Sequence, residues 1–418
     1  MVCAASPPQR FLSMRILHVV PSYHPAVRYG GPIVSVHALC KALAQRGHEV
    51  HVFTTNVDGK ANSDVPLGVP VDMDGVKVWY FPVPFLRRLF WSPRMGRALR
   101  LQMPSFDMVH THSVFLWPTW AAARAATRHG VPYVVAPRGM LVADLIKRKS
   151  RLLKTAWIRL IERGNLEHAA AIHVTSRIEG DDLARFGMRL PPLRIVPNGV
   201  DAAPADTANG TVAADIAALT AGPRYLLFIG RINWKKGLDR LIPAMAQLTA
   251  QLPDLQLLIA GNDEEAYQPV LEALARQHGV QQRVRFIGPA YGADKLALLR
   301  HATALVAPSY SENFGNVVLE AMAAGCPVVV TPEMGVADIV RESGAGIVVD
   351  GAPLALAQGI ALMLSDADGL RAMAERGRTV VAQRYGWDTV AQQMDGVYQE
   401  CIAGRARGEA VPVVRHLR

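Results

Sequence analysis

The chain has 418 residues, half of them hydrophobic, and carries 45 Lys and Arg against 35 Asp and Glu, a formal charge of +10. That length and apolar content suit two ordinary cores, so two domains are expected. The longest apolar candidates, Ala304–Ala307 and Val328–Thr331, are strand-sized. A bilayer-crossing helix needs about 20 apolar residues, so an integral membrane protein is not expected.

In chain order, residues 1–13, "MVCAASPPQRFLS", hold two prolines and no apolar core of signal type, and are expected to be a disordered extension. Cys3, Cys40, Cys326 and Cys401 are scattered without CxxC spacing. That pattern fits reduced thiols in the cytoplasm better than a disulfide framework or a zinc site. "RILHVVPSY" (15–23) has strand character, "GGPIVSVHALCKALAQRGHEV" (30–50) helical spacing, and "GHEVHVFTT" (47–55) returns as a strand. This is a β-α-β unit, which implies parallel neighbours. Short buried-strand candidates follow at 107–113, 132–139 and 170–176, separated by lengths that accommodate helices.

The segment 201–222 is small, polar and alanine-rich, and is expected to link the domains. A second series of Val/Ile/Leu-rich strands begins at 224–231 and continues through 255–262, 284–290, 302–312, 325–332 and 344–350, with a helix at 237–252. Strands apolar on both faces indicate parallel sheets covered by helices. The expected fold is α/β, with two doubly wound Rossmann-like domains, residues 14–200 and 223–384. Helix 385–403 and a tail of 404–418 complete the chain.

The charge excess is clustered. "FLRRLFWSPRMGRALR" (85–100) has five arginines and no acid, and 147–163 has seven Lys or Arg against one Glu. Bases mixed with Phe, Trp, Leu and Ile suit an anionic membrane surface. A solvated helix face explains them equally well. No reader motif accompanies the charge, so nucleic acid is not an expected partner.

In doubly wound sheets ligands sit at the carboxyl ends of strands, and four such junctions are chemically loaded. Gly30 and Gly31 precede a helix, where backbone amides can approach a phosphate or sugar closely. There is no GxGxxG, which disfavours a dinucleotide oxidoreductase. His110 and His112 end a strand, and their alternation is expected to place one on each face, so that they do not share a metal. In "GRINWKKG" (230–237), Arg231 and either Lys235 or Lys236 supply two cations suited to a diphosphate.

The fourth junction is "SENFGNVVLEAMAAGCPVV" (311–329), with Glu312 in a loop and Glu320 on the second turn of a helix starting near Asn316. Gly315 allows a tight backbone, and the amides of 315–318 form an anion cradle. Carboxylates near an anion are disfavoured unless they bind hydroxyls. A sugar on a nucleotide diphosphate supplies hydroxyls at both ends, hexose for one glutamate and ribose for the other. The triplet Asp72–Asp74, "DMD", precedes Gly75 and is expected to be a hairpin turn, so no metal is predicted.

"GRINWKKG" followed by "SENFGNVVLEAMAAGCPVV" resembles the retaining GT-B glycosyltransferases of the GT4 group, the group 1 glycosyltransferases. The resemblance extends over the GG loop, "VPNGVD" (196–201) and "YGWDTVAQQMDGVY" (385–398), which is similar to the family's final helix crossing back to the first domain. It implies two domains facing a central cleft, and transfer of a sugar from a nucleotide-diphosphate sugar to an acceptor hydroxyl without a metal or other cofactor. Glu312 would contact the donor sugar and Glu320 the ribose. The backbone of Asn313, Phe314, Gly315, Asn316, Val317 and Val318 would hold sugar and diphosphate. Arg231 and Lys236 would neutralise the leaving diphosphate, Gly31 with Gly30 would approach it from the first domain, and His112 would contact the sugar, with His110 as alternate.

"APRGML" (136–141) resembles members of exopolysaccharide or lipopolysaccharide assembly. The expected acceptor is therefore a lipid-linked saccharide, and the expected location is the cytoplasmic face of the membrane. A sugar-nucleotide epimerase, a phosphorylase-like enzyme and a non-catalytic nucleotide-sugar-binding module are the alternatives. UDP- and GDP-sugars both remain open as donors.

Overall fold

The computed structural model describes residues 13–26, 30–142, 155–201 and 211–407. The chain divides into two compact units. One comprises Met1–Val174, Ala184–Arg194 and Ala391–Arg418, the other Thr175–Leu183 and Ile195–Val390.

The first unit is built on an eight-stranded sheet. Its strands are β1 (Arg15–Val19), β2 (Glu49–Thr55), β5 (Pro70–Met73), β6 (Val76–Phe81), β7 (Met108–His112), β8 (Tyr133–Ala136), β9 (Ala171–Val174) and β10 (Leu193–Ile195), with the short pair β3 (Val57–Asp58) and β4 (Ala61–Asn62) beside it. The order is β10-β9-β8-β7-β1-β2-β6-β5. Pairings of β1 with β2 and β7, of β2 with β6, and of β8 with β7 and β9 are parallel. The hairpin β5-β6 is antiparallel. Its turn contains Asp74 at φ 55° and Gly75, whose N–H donates to Asp72 Oδ1, so of the DMD triplet Asp72 and Met73 end β5 and Asp74 alone lies in the turn.

Helix α1 (Gly31–Gln45) joins β1 to β2, α2 (Pro93–Gln102) precedes β7, and α3 (Trp117–His129) joins β7 to β8. Pro32 stands in the first turn of α1, where its missing N–H costs nothing. The chain begins in the middle of the sheet, winds outward through β2 and β6, and returns to β7 on the other side of β1. The strand order therefore reverses between β1 and β7.

The second unit holds β11 (Tyr225–Ile229), β12 (Gln256–Ala260), β13 (Val284–Phe286), β14 (Ala304–Ala307), β15 (Val328–Val330) and β16 (Gly346–Val348). The order is β13-β12-β11-β14-β15-β16, with parallel pairing throughout. Order reverses between β11 and β14. Two apolar clusters, one on each face, bury this sheet: Leu227, Leu258, Leu305 and Val328 lie in one, and Leu226, Leu257, Val306 and Val329 in the other. Burial on both faces is the reason these strands read as continuous hydrophobic runs.

Part of the expected linker is structured. Ala214–Thr220 is a helix, and Ile216 with Leu219 anchors it in the second unit's core. Ala213 N–H also donates to Asp294 Oδ1 at 2.8 Å. Residues 202–210 lie outside the described residues, as do 1–12 of the expected extension, 147–154 of the second basic stretch and 408–418 of the tail. The last helix runs Trp387–Ala406, longer than the 385–403 span read from the sequence. Its residues from Ala391 onward belong to the first unit. There Asp395 is buried and binds Arg46 Nε at 2.7 Å and His48 Nε2 at 2.9 Å, and Glu400 meets Arg194 at 2.7 Å.

Candidate active site

In the second unit the carboxyl ends of β11 and β14, the strands that border the reversal, carry the two specific motifs. After β11 the chain passes exposed Arg231 and makes a 3-10 turn, Trp234–Lys236, capped by Asn233 Oδ1 accepting from Lys235 N–H at 3.1 Å. After β14 comes the loop of Glu312. The two loops are bonded directly: Tyr310 N–H donates to the Lys235 carbonyl at 2.8 Å, and Lys236 Nζ forms an ion pair with Glu312 Oε2. The pair is about four-fifths buried at each side chain. The carboxylate and the ammonium thus hold one another where sequence reasoning gave them separate partners.

The loop is rigidly tied. Glu312 N–H donates to the Glu333 carbonyl, and Gly335 and Val336 N–H donate to the carbonyls of Glu312 and Phe314. Asn313 Nδ2 donates to Thr175 Oγ1 at 2.9 Å, and Ser176 Oγ donates to the Asn313 carbonyl at 3.0 Å. Glu179, buried, accepts from Thr175 N–H and Oγ1–H. Asn198 Nδ2, from "VPNGVD", donates to Asn316 Oδ1 at 2.8 Å. These supports were not found by sequence reasoning: Thr175 and Glu179 are remote along the chain and carry no motif, and "VPNGVD" was noted without a role for Asn198.

Helix Asn316–Ala324 starts where expected, on Gly315 at φ 102°. The left-handed backbone calls for glycine, and a Cβ there would also have to displace Met334 Cε, 2.7 Å away, and press on Val336 Cγ1 at 3.0 Å. No side chain caps this helix start, and of the amides read as a cradle that of Val318 donates to the Gly315 carbonyl at 2.9 Å. Phe314 and Val318 are buried in the core, so only their backbone is available to a ligand. Glu320 pairs with Lys295 at 2.5 Å, a partner that sequence reasoning also missed.

In the first unit the carboxyl ends of β1 and β7, which border its own reversal, carry the GG loop and His112. Gly30 caps α1 at φ 80° with open space around it, and Gly31 is the first helical residue. His110 and His112 do not occupy opposite faces as expected. Residues two apart in a strand share a face, and their ring centroids are 4.1 Å apart.

With them stands His18 of β1, whose Nδ1 is 2.9 Å from His112 Nε2. His110 Nδ1 meets Tyr398 Oη at 2.7 Å, and its Nε2 is 3.3 Å from His173 Nδ1. Arg138 Nη2 donates to His112 Nδ1 at 3.3 Å. All four rings are buried. Burial, with the Arg138 charge adding to it, lowers His18 to about 3. The same burial holds His110, with neighbouring His112 next in effect, and His112, with Arg138 next, well below the usual imidazole range.

His18, His110 and His112 bring one ligand atom each within 4.8 Å of one another, the geometry that invites a metal. The chemistry is unfavourable: no carboxylate or thiolate joins the three among the described residues, and a guanidinium is bonded to one of them. The rings are better described as a neutral hydrogen-bonded network.

The loops leaving β7 and β8 are strained. Ser113 (φ 77°), Phe115 (φ 65°) and Arg138 (φ 56°) are non-glycine residues in the left-handed region. Buried Glu162, at the end of a π-helical turn Ile158–Glu162, accepts from Phe115 N–H at 2.6 Å and from Trp157 Nε1–H at 2.9 Å. Strain held by such bonds concentrates at functional loops.

The family described as "Glycosyl transferases group 1" matches residues 214–380, and "Glycosyl transferase 4-like domain" matches 30–199. A D-inositol 3-phosphate glycosyltransferase of Xylanimonas cellulosilytica is 30% identical, over 94% of this chain and 97% of its own. A glycogen synthase of Mycobacterium tuberculosis is also 30% identical, over 96% and 99%. Among solved structures, sucrose-phosphate synthase from Thermosynechococcus elongatus superposes with TM-score 0.71 at 24% identity, over 94% of this chain and all of its own. HepE of Anabaena, in complex with UDP and glucose, gives 0.69 at 20% identity, over 92% and 99%.

Proposed function

Because the chain belongs to the group 1 glycosyltransferases, retaining enzymes of GT-B fold that use nucleotide sugars, we propose that it moves a hexose to a hydroxyl of a lipid-linked saccharide at a membrane surface. The observation that carries the reading is the placement of Arg231, Lys236 and Glu312 at the carboxyl ends of β11 and β14, the strands bordering the reversal of strand order.

In this reading the donor diphosphate lies against the amides at the start of helix Asn316–Ala324. Arg231 and Lys236 neutralise the charge that grows on it as the sugar C1–O(phosphate) bond lengthens. Two fixed cations perform there the task a divalent metal performs elsewhere, so the reaction is metal-independent. Glu312 accepts from sugar hydroxyls and Glu320 from the ribose. Gly30 and Gly31 offer a close backbone approach at the start of α1, and the buried ring of His112 takes no direct part. The acceptor oxygen forms its bond to C1 on the face the diphosphate leaves, and its proton passes to a phosphate oxygen. Donor entry requires Lys236 to share its charge between Glu312 and the diphosphate.

The acceptor reading is supported by a surface of the first unit. Phe85 and Leu86 are 60% and 56% exposed, and Arg88, Arg94, Arg97 and Arg100 of the same stretch are exposed as well. Arg87 does not belong to this surface, because it binds the Gly59 carbonyl at 3.0 Å and Asn62 Oδ1 at 2.6 Å. Among the described residues no helix is long and apolar enough to cross a membrane, so the contact would be peripheral. Each exposed arginine near an anionic surface contributes about 1 kcal/mol, lost within a Debye length.

The test is a panel of UDP-, GDP- and ADP-sugars scored for protection against thermal unfolding, in the wild type and in Arg231→Ala and Glu320→Ala. Stabilisation by one nucleotide family, lost in both variants, is expected. No stabilisation by any of them would overturn the donor site. Flotation with anionic vesicles addresses the acceptor side: binding that disappears as salt rises is expected, and absence of binding at low salt would remove the membrane component.

A further inference from the structure

The histidine network has a direction that can be derived. A guanidinium only donates, so His112 Nδ1, 3.3 Å from Arg138 Nη2, is an acceptor. A neutral ring with an accepting Nδ1 carries its proton on Nε2. That N–H donates to His18 Nδ1 at 2.9 Å, and His18 in turn carries its proton on Nε2. The series Arg138 to His112 to His18 therefore runs one way and ends at His18 Nε2, a buried atom with no hydrogen-bond partner among the described residues.

Two consequences follow. His112 is 1% exposed with both nitrogens engaged, so its ring is not the group that reaches a ligand. Arg138 is only partly buried, stands on strained backbone just after β8, and is held in one plane by the bond to His112. A planar guanidinium fixed at the carboxyl end of a parallel sheet matches a phosphate in shape and charge.

We propose that Arg138 is an anion-binding residue that takes a phosphate oxygen of a substrate, and that His112 and His18 are positioning residues that aim it. The inference rests on the group 1 reading, in which phosphate reaches the protein as the diphosphate of the donor or as a phosphate on the acceptor. A neutral His112 is essential to the arrangement: protonated, it would repel the guanidinium it now supports.

The experiment measures binding of UDP, standing for the donor, and of glycerol phosphate, standing for a phosphorylated acceptor. It compares wild type with Arg138→Gln, Arg138→Lys, His18→Phe and the double variant Arg138→Gln/His18→Phe. Loss of a charge-assisted bond predicts that Arg138→Gln weakens one probe about tenfold or more, while Arg138→Lys keeps part of the affinity. Weakened UDP identifies the diphosphate as the anion, and weakened glycerol phosphate identifies the acceptor.

If His18 acts through Arg138, His18→Phe weakens the same probe, and adds nothing once Arg138 is Gln. Additive losses would overturn the positioning role. Should Arg138→Gln fail to fold, Arg138→Lys decides, with weakening of one probe by about threefold expected from loss of the planar fork. UDP affinity within twofold of wild type, with glycerol phosphate binding unchanged or absent in every protein, would overturn the anion site. A wild type that binds no nucleotide removes the donor reading instead, and leaves the glycerol phosphate arm to judge Arg138.

Discussion

The two units use the same topological device on different foundations. In each, the candidate residues leave the carboxyl ends of the two strands where strand order reverses: β1 and β7 in the first, β11 and β14 in the second. Beneath those ends the second sheet is hydrocarbon on both faces, and its candidate groups are fixed by loop-to-loop bonds such as Lys236 to Glu312. Beneath the first lie His18, His110, His112 and His173, bonded to one another and to Tyr398 and Arg138. An apolar sheet leaves positioning to the loops, whereas a polar interior can orient a surface group from below. The apolar core of the second unit is insensitive to pH, and the histidine-bearing core of the first is not.

The largest effect should come from the second unit's cations. Arg231→Ala or Lys236→Ala is expected to lower turnover of the nucleotide sugar by about 10²–10³-fold, as loss of charge stabilisation on a leaving group does. Steady-state kinetics checks this, and a loss below tenfold in both variants would mean that the loops do not carry the site.

Next is acid. The folded first unit holds His18 near 3, while the unfolded chain takes up its proton near the ordinary 6.5. Stability contributed by that difference is complete above about pH 6.5 and is lost as pH falls toward 3. His110 and His112, lowered in the same direction, add to it. Melting temperature should therefore fall between pH 7.5 and pH 5. Hydrogen exchange, corrected for intrinsic rate, should locate the loss in β1 and β7 before β11 and β14. Equal loss in both sheets would break the contrast between the units.

A smaller effect is expected at the cradle. Gly315→Val should destabilise the second unit by about 1–3 kcal/mol in urea melts, through left-handed strain and the clash with Met334 and Val336. The smallest concerns Lys295→Ala. The Lys295–Glu320 pair is nearly a third exposed, so its removal should cost under about 1 kcal/mol of stability. Donor affinity should fall by up to about tenfold if Lys295 aims Glu320 at a hydroxyl, which calorimetry would read directly.

Much of this was legible in the chain. The strands of the second unit could be placed because burial on both faces writes uninterrupted Val, Ile and Leu runs. The start of helix Asn316–Ala324 was legible because Gly315 has a local conformational reason to be there. The helix Ala214–Thr220 was missed because its alanines carry little periodic signal and its anchor, Ile216, is apparent only once the second core is assembled. The histidine faces were misassigned although the period-two rule alone places His110 beside His112, so that error belonged to the reading and not to the sequence.

By itself, then, the sequence determined the two parallel-sheet units, the motif loops and the residue types at their mouths, since period, glycine placement and charge are local properties. Tertiary structure decided which groups meet: Lys236 with Glu312, Lys295 with Glu320, Asn198 with Asn316, and Arg138 with His112 and His18. The partners in these pairs are separated by 25 to 118 positions, and His18 from His112 by 94. Hydrogen bonds and ion pairs act over a few ångströms of space, and only the folding of the sheets brings such distant positions that close.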